Sequence, residues 1–529
     1  MKLKILILVT LVVLILTGCS QREYRIVDAR FDQVSPVDNY RVFYQIFVGS
    51  FSDSNNDTIG DIRGIINRLD YLNDGDPLSG KSLGVTGLWL TPIMPSPSYH
   101  KYDTTDYFNV DPQFGTLEDF QELIIKAEAR GINIIIDLVL NHTSSRHPWF
   151  VEARRAMREG DLDNRYIDFY NIVRAEEKVA GRTYYHFYGE YYYEGNFWSE
   201  MPDLNVSNLY VREEIERMVE FWLGMGVAGF RLDAVKYPFL GNDDANLEFW
   251  RWFMDIAKSY REDVYVVGEM WDSDTNILRY YEVMNNFDFG MSQSNGAVAS
   301  TVQGIESVNQ FVRYVYEYRN SVKAVNPDAM LQPFLTNHDM NRAAGFLSLE
   351  NGQMQMAANL YILSYGTPFI YYGEEIGMRG SRGSENTDAN RRLAMHWGDG
   401  DSVGNPIGST WTSADQTNGT VREQLRDPDS LLTHYKRLLL IRQANPEIAR
   451  GEYLPLMFEN EQHFGGFLST YEGSTIAVLH NVSQQPITID ISIIESITLT
   501  ELRAEIGMGG ATLTGSVLVI DPMTSVVLR

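Results

Sequence analysis

The chain has 529 residues, is 44 % hydrophobic and 12 % aromatic, and carries a formal net charge of −26. That balance excludes a nucleic-acid binder working through a basic surface, because phosphate affinity needs clustered cations. It also excludes a disordered polymer, and the length exceeds one ordinary domain.

Lys2 and Lys4 precede an apolar run from Ile5 to Leu16, followed by Thr17-Gly18-Cys19. A bilayer-spanning helix needs about 20 apolar residues, so this shorter run reads as a secretory signal. Leu16-Thr17-Gly18-Cys19 resembles the bacterial lipobox, whose Cys receives lipid and becomes the mature N-terminus. Cys19 is the one Cys of the chain, so no intramolecular disulfide can form. The expectation is a signal peptide at 1–18, lipidation at Cys19 and a tether over 19–39. The protein would be exported and held at the cell envelope by its lipid alone.

From residue 40 the chain alternates between two patterns. Thr116 is placed to cap a helix, with Asp119 reaching back to the free amide. Phe120, Leu123, Ile124 and Ala127 repeat at helical spacing, and Gly131 ends the helix. Ile132–Leu140 follows as a nearly continuous apolar run, the mark of a strand buried on both faces. The unit recurs: Val211–Trp222 leads to Val227–Leu232, Leu247–Tyr260 to Val264–Val267, and Met356–Leu363 to Phe369–Tyr372. Val42–Val48 and Val85–Leu90 read as two earlier strands. Repeated helix–strand units imply parallel strands with helical crossovers. The fold class expected is α/β, a (β/α)8 TIM barrel over 40–141 and 204–445. The helical period breaks into polar, Tyr-rich sequence over 142–203, an inserted domain after strand three. After Pro446, short alternating runs such as Thr475–His480, Ile487–Ile491 and Ser516–Ile520 imply a C-terminal β-sandwich over 446–529.

In parallel barrels the chemistry sits where strands end. There the chain places Asp137-Leu-Val-Leu-Asn141-His142, Gly229-Phe-Arg231-Leu-Asp233, Gly268-Glu269 and Asn337-His338-Asp339. No His-x-x-x-His pair or Gly-x-Ser-x-Gly elbow is present, which argues against zinc-type or Ser-nucleophile hydrolysis. Glycoside cleavage needs a carboxylate and a carboxylic acid, and this set supplies both. Arg231 lies two residues before Asp233, so both point to one side of an extended strand, and the guanidinium favours an ionised Asp233.

A second constellation, Asp53-Ser-Asn55-Asn-Asp57-Thr-Ile59-Gly-Asp61, places oxygen ligands at every second residue. The side chains of Asp53, Asn55, Asp57 and Asp61, with the carbonyl of Ile59, suit Ca²⁺. An EF-hand would need Glu where Gly64 stands, so that reading fails.

Together the strand-end segments resemble, in their order, the signature regions of the α-amylase family, glycoside hydrolase family thirteen. Met201-Pro-Asp-Leu-Asn205 is similar to its additional region. The resemblance implies that Asp233 is the nucleophile, Glu269 the general acid and then base, and Asp339 the third carboxylate, which holds sugar hydroxyls. It implies that His142 and His338 hydrogen-bond the sugar, that Arg231 orients Asp233, and that Tyr102 is the ring stacked under the sugar. In a retaining enzyme the Asp233 and Glu269 carboxyls should lie roughly 5–5.5 Å apart. The pKa of Glu269 should be raised by the neighbouring carboxylates. Lys236, followed by Tyr237 where amylases often carry His, is a candidate for a sugar beyond the cleavage point. Phe197 and Trp198 are candidates for stacking at the cleft edge. Members with the Asp53–Asp61 loop bind structural calcium there, usually with Gly where this chain has Thr58. Asn141 is a candidate ligand for a second calcium between barrel and insertion.

The activity implied is an endo-acting α-amylase cutting α-1,4 bonds of starch and maltodextrins through a covalent glucosyl-enzyme, as a monomer. Within the same family a neopullulanase or cyclomaltodextrinase, an oligo-1,6-glucosidase and a glucanotransferase remain open. A non-catalytic glucan-binding lipoprotein is the reading from another class, opposed by the survival of all three carboxylates.

Overall fold

The structure is a computed structural model that describes residues 42–458, 461–494 and 497–529. Cys19, the signal peptide and the tether lie outside the described residues. Among the described residues no helix is long and apolar enough to cross a membrane.

Eight parallel strands form the barrel: β1 (Phe43–Ile46), β2 (Gly87–Leu90), β3 (Asn133–Leu138), β4 (Gly229–Leu232), β5 (Tyr265–Gly268), β6 (Asn285–Asp288), β7 (Gln332–Pro333) and β8 (Phe369–Tyr371). Their spatial order is β7-β6-β5-β4-β3-β2-β1-β8, and a parallel bridge from Phe334 to Phe369 closes the ring. Gly229 is required on β4, because a Cβ there would stand 1.8 Å from the Tyr265 carbonyl on β5. Seven of these strands were legible as apolar runs or motif segments. β6 was not, because Asn285-Asn-Phe-Asp288 is polar. Its Asn286 and Asp288 are nevertheless buried, and Asn286 bonds the Met284 carbonyl at 2.9 Å while Tyr314 bonds Asp288 at 2.8 Å.

The helices form as the periodicity requires. Leu117–Glu128 buries Phe120, Leu123, Ile124 and Ala127, and Thr116 and Asp119 close a reciprocal capping box. Thr116→Ala should therefore lower stability by about 1 kcal/mol, read as a shift in the urea midpoint with an unchanged m-value. The barrel interior is filled by rings: Phe43 stacks on Phe369 at 4.6 Å, and Phe287 lies 4.9 Å from Phe369 and 5.3 Å from Trp89. This apolar plug lies under the carboxyl ends of the strands and lowers the polarity beneath the site.

The insertion after β3 comprises a helix, Pro148–Glu159, and a three-stranded antiparallel sheet of Ile172–Arg174, Tyr184–Tyr188 and Tyr191–Glu194. Bridges from His142 to Asp203 and from Tyr170 to Leu204 fasten it to the barrel. After β8, Leu431–Ala444 and Pro446–Arg450 are helical, and the first strand of the all-β region begins at Glu452. That region has a five-stranded and a three-stranded antiparallel sheet, whose facing residues, among them Leu468, Leu479, Leu518 and Ile520, form one core.

Candidate active site

Asp233 follows β4, Glu269 follows β5, and His338 and Asp339 follow β7, so chain topology alone delivers them to one rim. Arg231 on β4 is buried and organises three carboxylates. Its Nη1 donates to Asp137 at 2.8 Å and Asp233 at 2.7 Å, and its Nη2 to Glu269 at 2.9 Å. The planar fork therefore fixes Asp233 and Glu269 as neighbours. The residue after Asp233, Ala234, has φ of 51°, a turn that costs a residue with a Cβ about 1–2 kcal/mol. Its amide lies 3.3 Å from Glu269 Oε2.

Asp339 is held by Arg392 Nη2 at 2.7 Å and His338 Nε2 at 3.1 Å. Burial alone would raise its pKa, but His338 and Arg392 outweigh it and keep the carboxyl well below the usual range. Arg392 is the permanent charge of the two, because burial pushes His338 down to about 3 and leaves it neutral near pH 7. Glu269 moves the other way: burial, with Asp233 and Asp339 adding to it against Arg231, raises it to about 8. Burial likewise raises Asp137 to about 7 against the pull of Arg231. Four carboxylates thus share two guanidinium charges, and Glu269, the most strongly raised, keeps a proton near neutrality. The neighbouring carboxylates contribute as expected, with burial the larger cause.

Tyr102 stacks on the His338 ring, with 5.5 Å between centroids and 3° between planes. Its hydroxyl reaches Asp137 at 2.9 Å and His338 Nε2 at 2.7 Å. His142 is buried, and its Nε2 has no partner, so a ligand hydroxyl would satisfy it. Tyr102, His142, Asp233, Lys236, Glu269 and Asp339 line one cleft of about 1100 Å³, and Phe197 and Trp198 stand at its edge. Arg231 and His338 lie just beneath. Lys236 is tied to the Trp271 carbonyl at 2.8 Å and to Asp272 at 3.0 Å, which fixes its position on the wall. Gln45, Asp137 and Arg392 were not assigned roles from the sequence, although all three contact the central groups.

The Asp53–Asp61 loop curls on itself. The side-chain oxygens of Asp53, Asn55 and Asp57 each accept the amide two residues on, at 2.9, 2.9 and 2.8 Å. Burial would raise Asp53, but Ser402 and the amides of Thr58, Asn55 and Asn56 hold it below its ordinary value. Asp61 caps the helix Ile62–Asn67. Among the described residues no three His, Cys, Asp or Glu side chains gather as a metal-holding group. The loop's ligand atoms are nevertheless all oxygen, the type a hard cation takes, and Asn55 and Asp57 keep lone pairs free while Asp53 already accepts from Asn55, Asn56, Thr58 and Ser402. Around Asn141, the candidate for a second calcium, protein donors meet the neighbouring carboxylates. Its Nδ2 donates to Asp203 at 3.1 Å, Asn196 donates to both Asp203 and Glu194, and Arg182 pairs with Glu194 at 3.1 Å. The carboxylate oxygens there already have donors, and Arg182 supplies the positive charge.

These strand ends, with their paired carboxylates on one guanidinium, define a glycoside-hydrolase type of site on a parallel barrel. A profile of the α-amylase catalytic domain matches residues 45–451, and the chain belongs to the α-amylase family. It is 38 % identical over 450 residues to "Alpha-amylase 3" of Dictyoglomus thermophilum, covering 84 % of this chain and 85 % of that one. The "Oligo-1,6-glucosidase" of Parageobacillus thermoglucosidasius is 29 % identical, covering 84 % and 90 %. The solved structure "Eubacterium rectale Amy13B" superposes with a TM-score of 0.86 at 35 % identity, covering 95 % and 97 %.

Proposed function

We propose that this family hydrolase is a retaining, endo-acting α-amylase that cuts α-1,4-glucosidic bonds of starch and maltodextrins. The observation that carries the reading is the Arg231 fork, which holds a carboxylate at Asp233 beside a carboxyl at Glu269 raised to about 8. Asp233 attacks the anomeric carbon while Glu269 gives its proton to the departing glycosidic oxygen. Glu269, now a carboxylate, then takes a proton from water as the water displaces Asp233. Two inversions retain the anomer. Asp339, held ionised by Arg392, binds sugar hydroxyls and favours the oxocarbenium-like transition state. His142 and His338 bond the same sugar, and Tyr102 packs beneath it. Lys236, on the wall of the same cleft, meets the leaving chain.

The second reading is an α-1,6-acting or transferring enzyme, favoured by the likeness to a protein named oligo-1,6-glucosidase. A product time course on soluble starch, pullulan, cyclodextrin and isomaltose separates the two. Rapid loss of iodine colour with mixed short maltooligosaccharides supports the α-amylase. Preference for pullulan, cyclodextrin or isomaltose overturns it, and inertness on all four restores the binding protein.

We further propose structural Ca²⁺ at Asp53, Asn55, Asp57, Ile59 and Asp61, and envelope anchoring through lipid on Cys19. A chelator should lower Tm, because a ligand at 100 times its Kd stabilises by about 2.7 kcal/mol. An unchanged Tm would remove calcium from the loop.

A further inference from the structure

Gln45 lies on β1, is 1 % exposed, and is the one polar side chain in the apolar stretch Val42–Val48. Its Nε2 lies 2.7 Å from His338 Nδ1, on the side of the ring opposite the cleft. The other ring nitrogen, Nε2, lies 3.1 Å from Asp339 Oδ2 and 2.7 Å from the Tyr102 hydroxyl. The Gln45 amide N–H can only donate, so Nδ1 must accept from it. A neutral imidazole carries one proton, which therefore sits on Nε2. The remaining contacts follow in one direction: Tyr102 accepts from His338 and donates to Asp137, which Trp89 and Arg231 also contact at 3.2 and 2.8 Å.

We infer that Gln45 is a positioning residue that fixes the proton of His338 on Nε2, so that the histidine donates into the cleft. Through His338 it sets the ring stacked on Tyr102 and the hydrogen bond to the Tyr102 hydroxyl, without itself touching substrate. The hydrogen bond at the far nitrogen of a histidine selects which nitrogen acts, and a wrong tautomer disables an otherwise intact site. The inference deepens the glycosidase reading above and rests on it for its kinetic consequence.

The test uses ¹⁵N-histidine-labelled protein, with the His338 resonances assigned by their loss in His338→Gln. In the wild type His338 should show a protonated Nε2 and a bare Nδ1. Gln45→Glu, an acceptor only, should place a proton on Nδ1. It should also lower kcat on starch by about 10- to 100-fold, the range seen for outer partners of functional histidines, with KM changed far less. Because Gln45→Glu buries a charge, Gln45→Met removes the donor at similar volume and should yield a mixture of tautomers with the same melting transition. A wild-type Nδ1 that carries the proton, or variants that leave the tautomer unchanged, would overturn the inference. Should the protein prove inactive on every glucan, the spectra still decide the role of Gln45, and only the functional reading falls.

Discussion

Asp233→Asn is expected to abolish turnover while leaving the fold and the glucan affinity in place. Asparagine keeps the volume, and its amide oxygen can still accept from Arg231 Nη1, which now lies 2.7 Å from Asp233. What disappears is the nucleophile, because an amide cannot form the glycosyl ester. Loss of a nucleophile costs enzymes on the order of 10⁴-fold or more in kcat. Binding of a maltooligosaccharide measured by calorimetry should change little, since Asp339, His142 and Tyr102 remain. A non-catalytic glucan binder would show no difference between the two proteins in any assay. A loss smaller than about tenfold would move the nucleophile elsewhere. Asp233 is one of the charges that raise Glu269, so any residual activity should lose its proton at a lower pH than the wild type does.

How much of this site could be read from the sequence follows from how each residue is held. Asp233, Glu269 and Asp339 stand at strand ends inside segments with recognisable neighbours, and parallel topology necessarily brings such ends together. Arg231 was placed correctly because side chains two apart on a strand share a face. Its bonds to Asp137 and Glu269 were invisible, since they cross from β4 to β3 and β5 and depend on register. Arg392 lies in the loop after β8, where no periodicity reports which side chain turns inward. Gln45 left a trace, a lone amide in a buried apolar strand, whose meaning required knowing that His338 lies above it. The surroundings of Asn141, the candidate ligand of a second calcium, were invisible for a related reason. Arg182 and Asn196 come from the irregular insertion, and only the folded chain shows them filling the carboxylates there. β6 was missed because its polar residues are buried, with Asp288 met by Tyr314 from farther along the chain.

The rate on starch should fall on the alkaline side with the proton of Glu269, and Glu269→Gln should remove that dependence. The proton must be present at the start of each cycle, and it is lost as pH rises through about 8. Plots of log kcat/KM should therefore turn downward near that pH and approach a tenfold fall per unit. Glu269→Gln cannot give a proton and should lower kcat on starch by about 10²- to 10⁴-fold. An aryl maltoside whose phenolate leaves without protonation should lose far less in the first step. Stability gives an independent reading of the same group. Its pKa rises from an ordinary 4.5 to about 8 on folding, so the native state holds a proton that the unfolded chain releases in that window. The stabilisation tied to that proton is complete below about 4.5, declines as pH rises, and is exhausted above about 8. Glutamine is neutral at every pH and keeps an oxygen for Arg231. The variant should accordingly melt higher than the wild type at pH 8, and the gap should shrink toward pH 5. Equal melting temperatures at both values would mean that Glu269 titrates in the folded protein as it does in water. The raised acid would then have to be sought elsewhere in the cluster, first at Asp137, which burial raises to about 7.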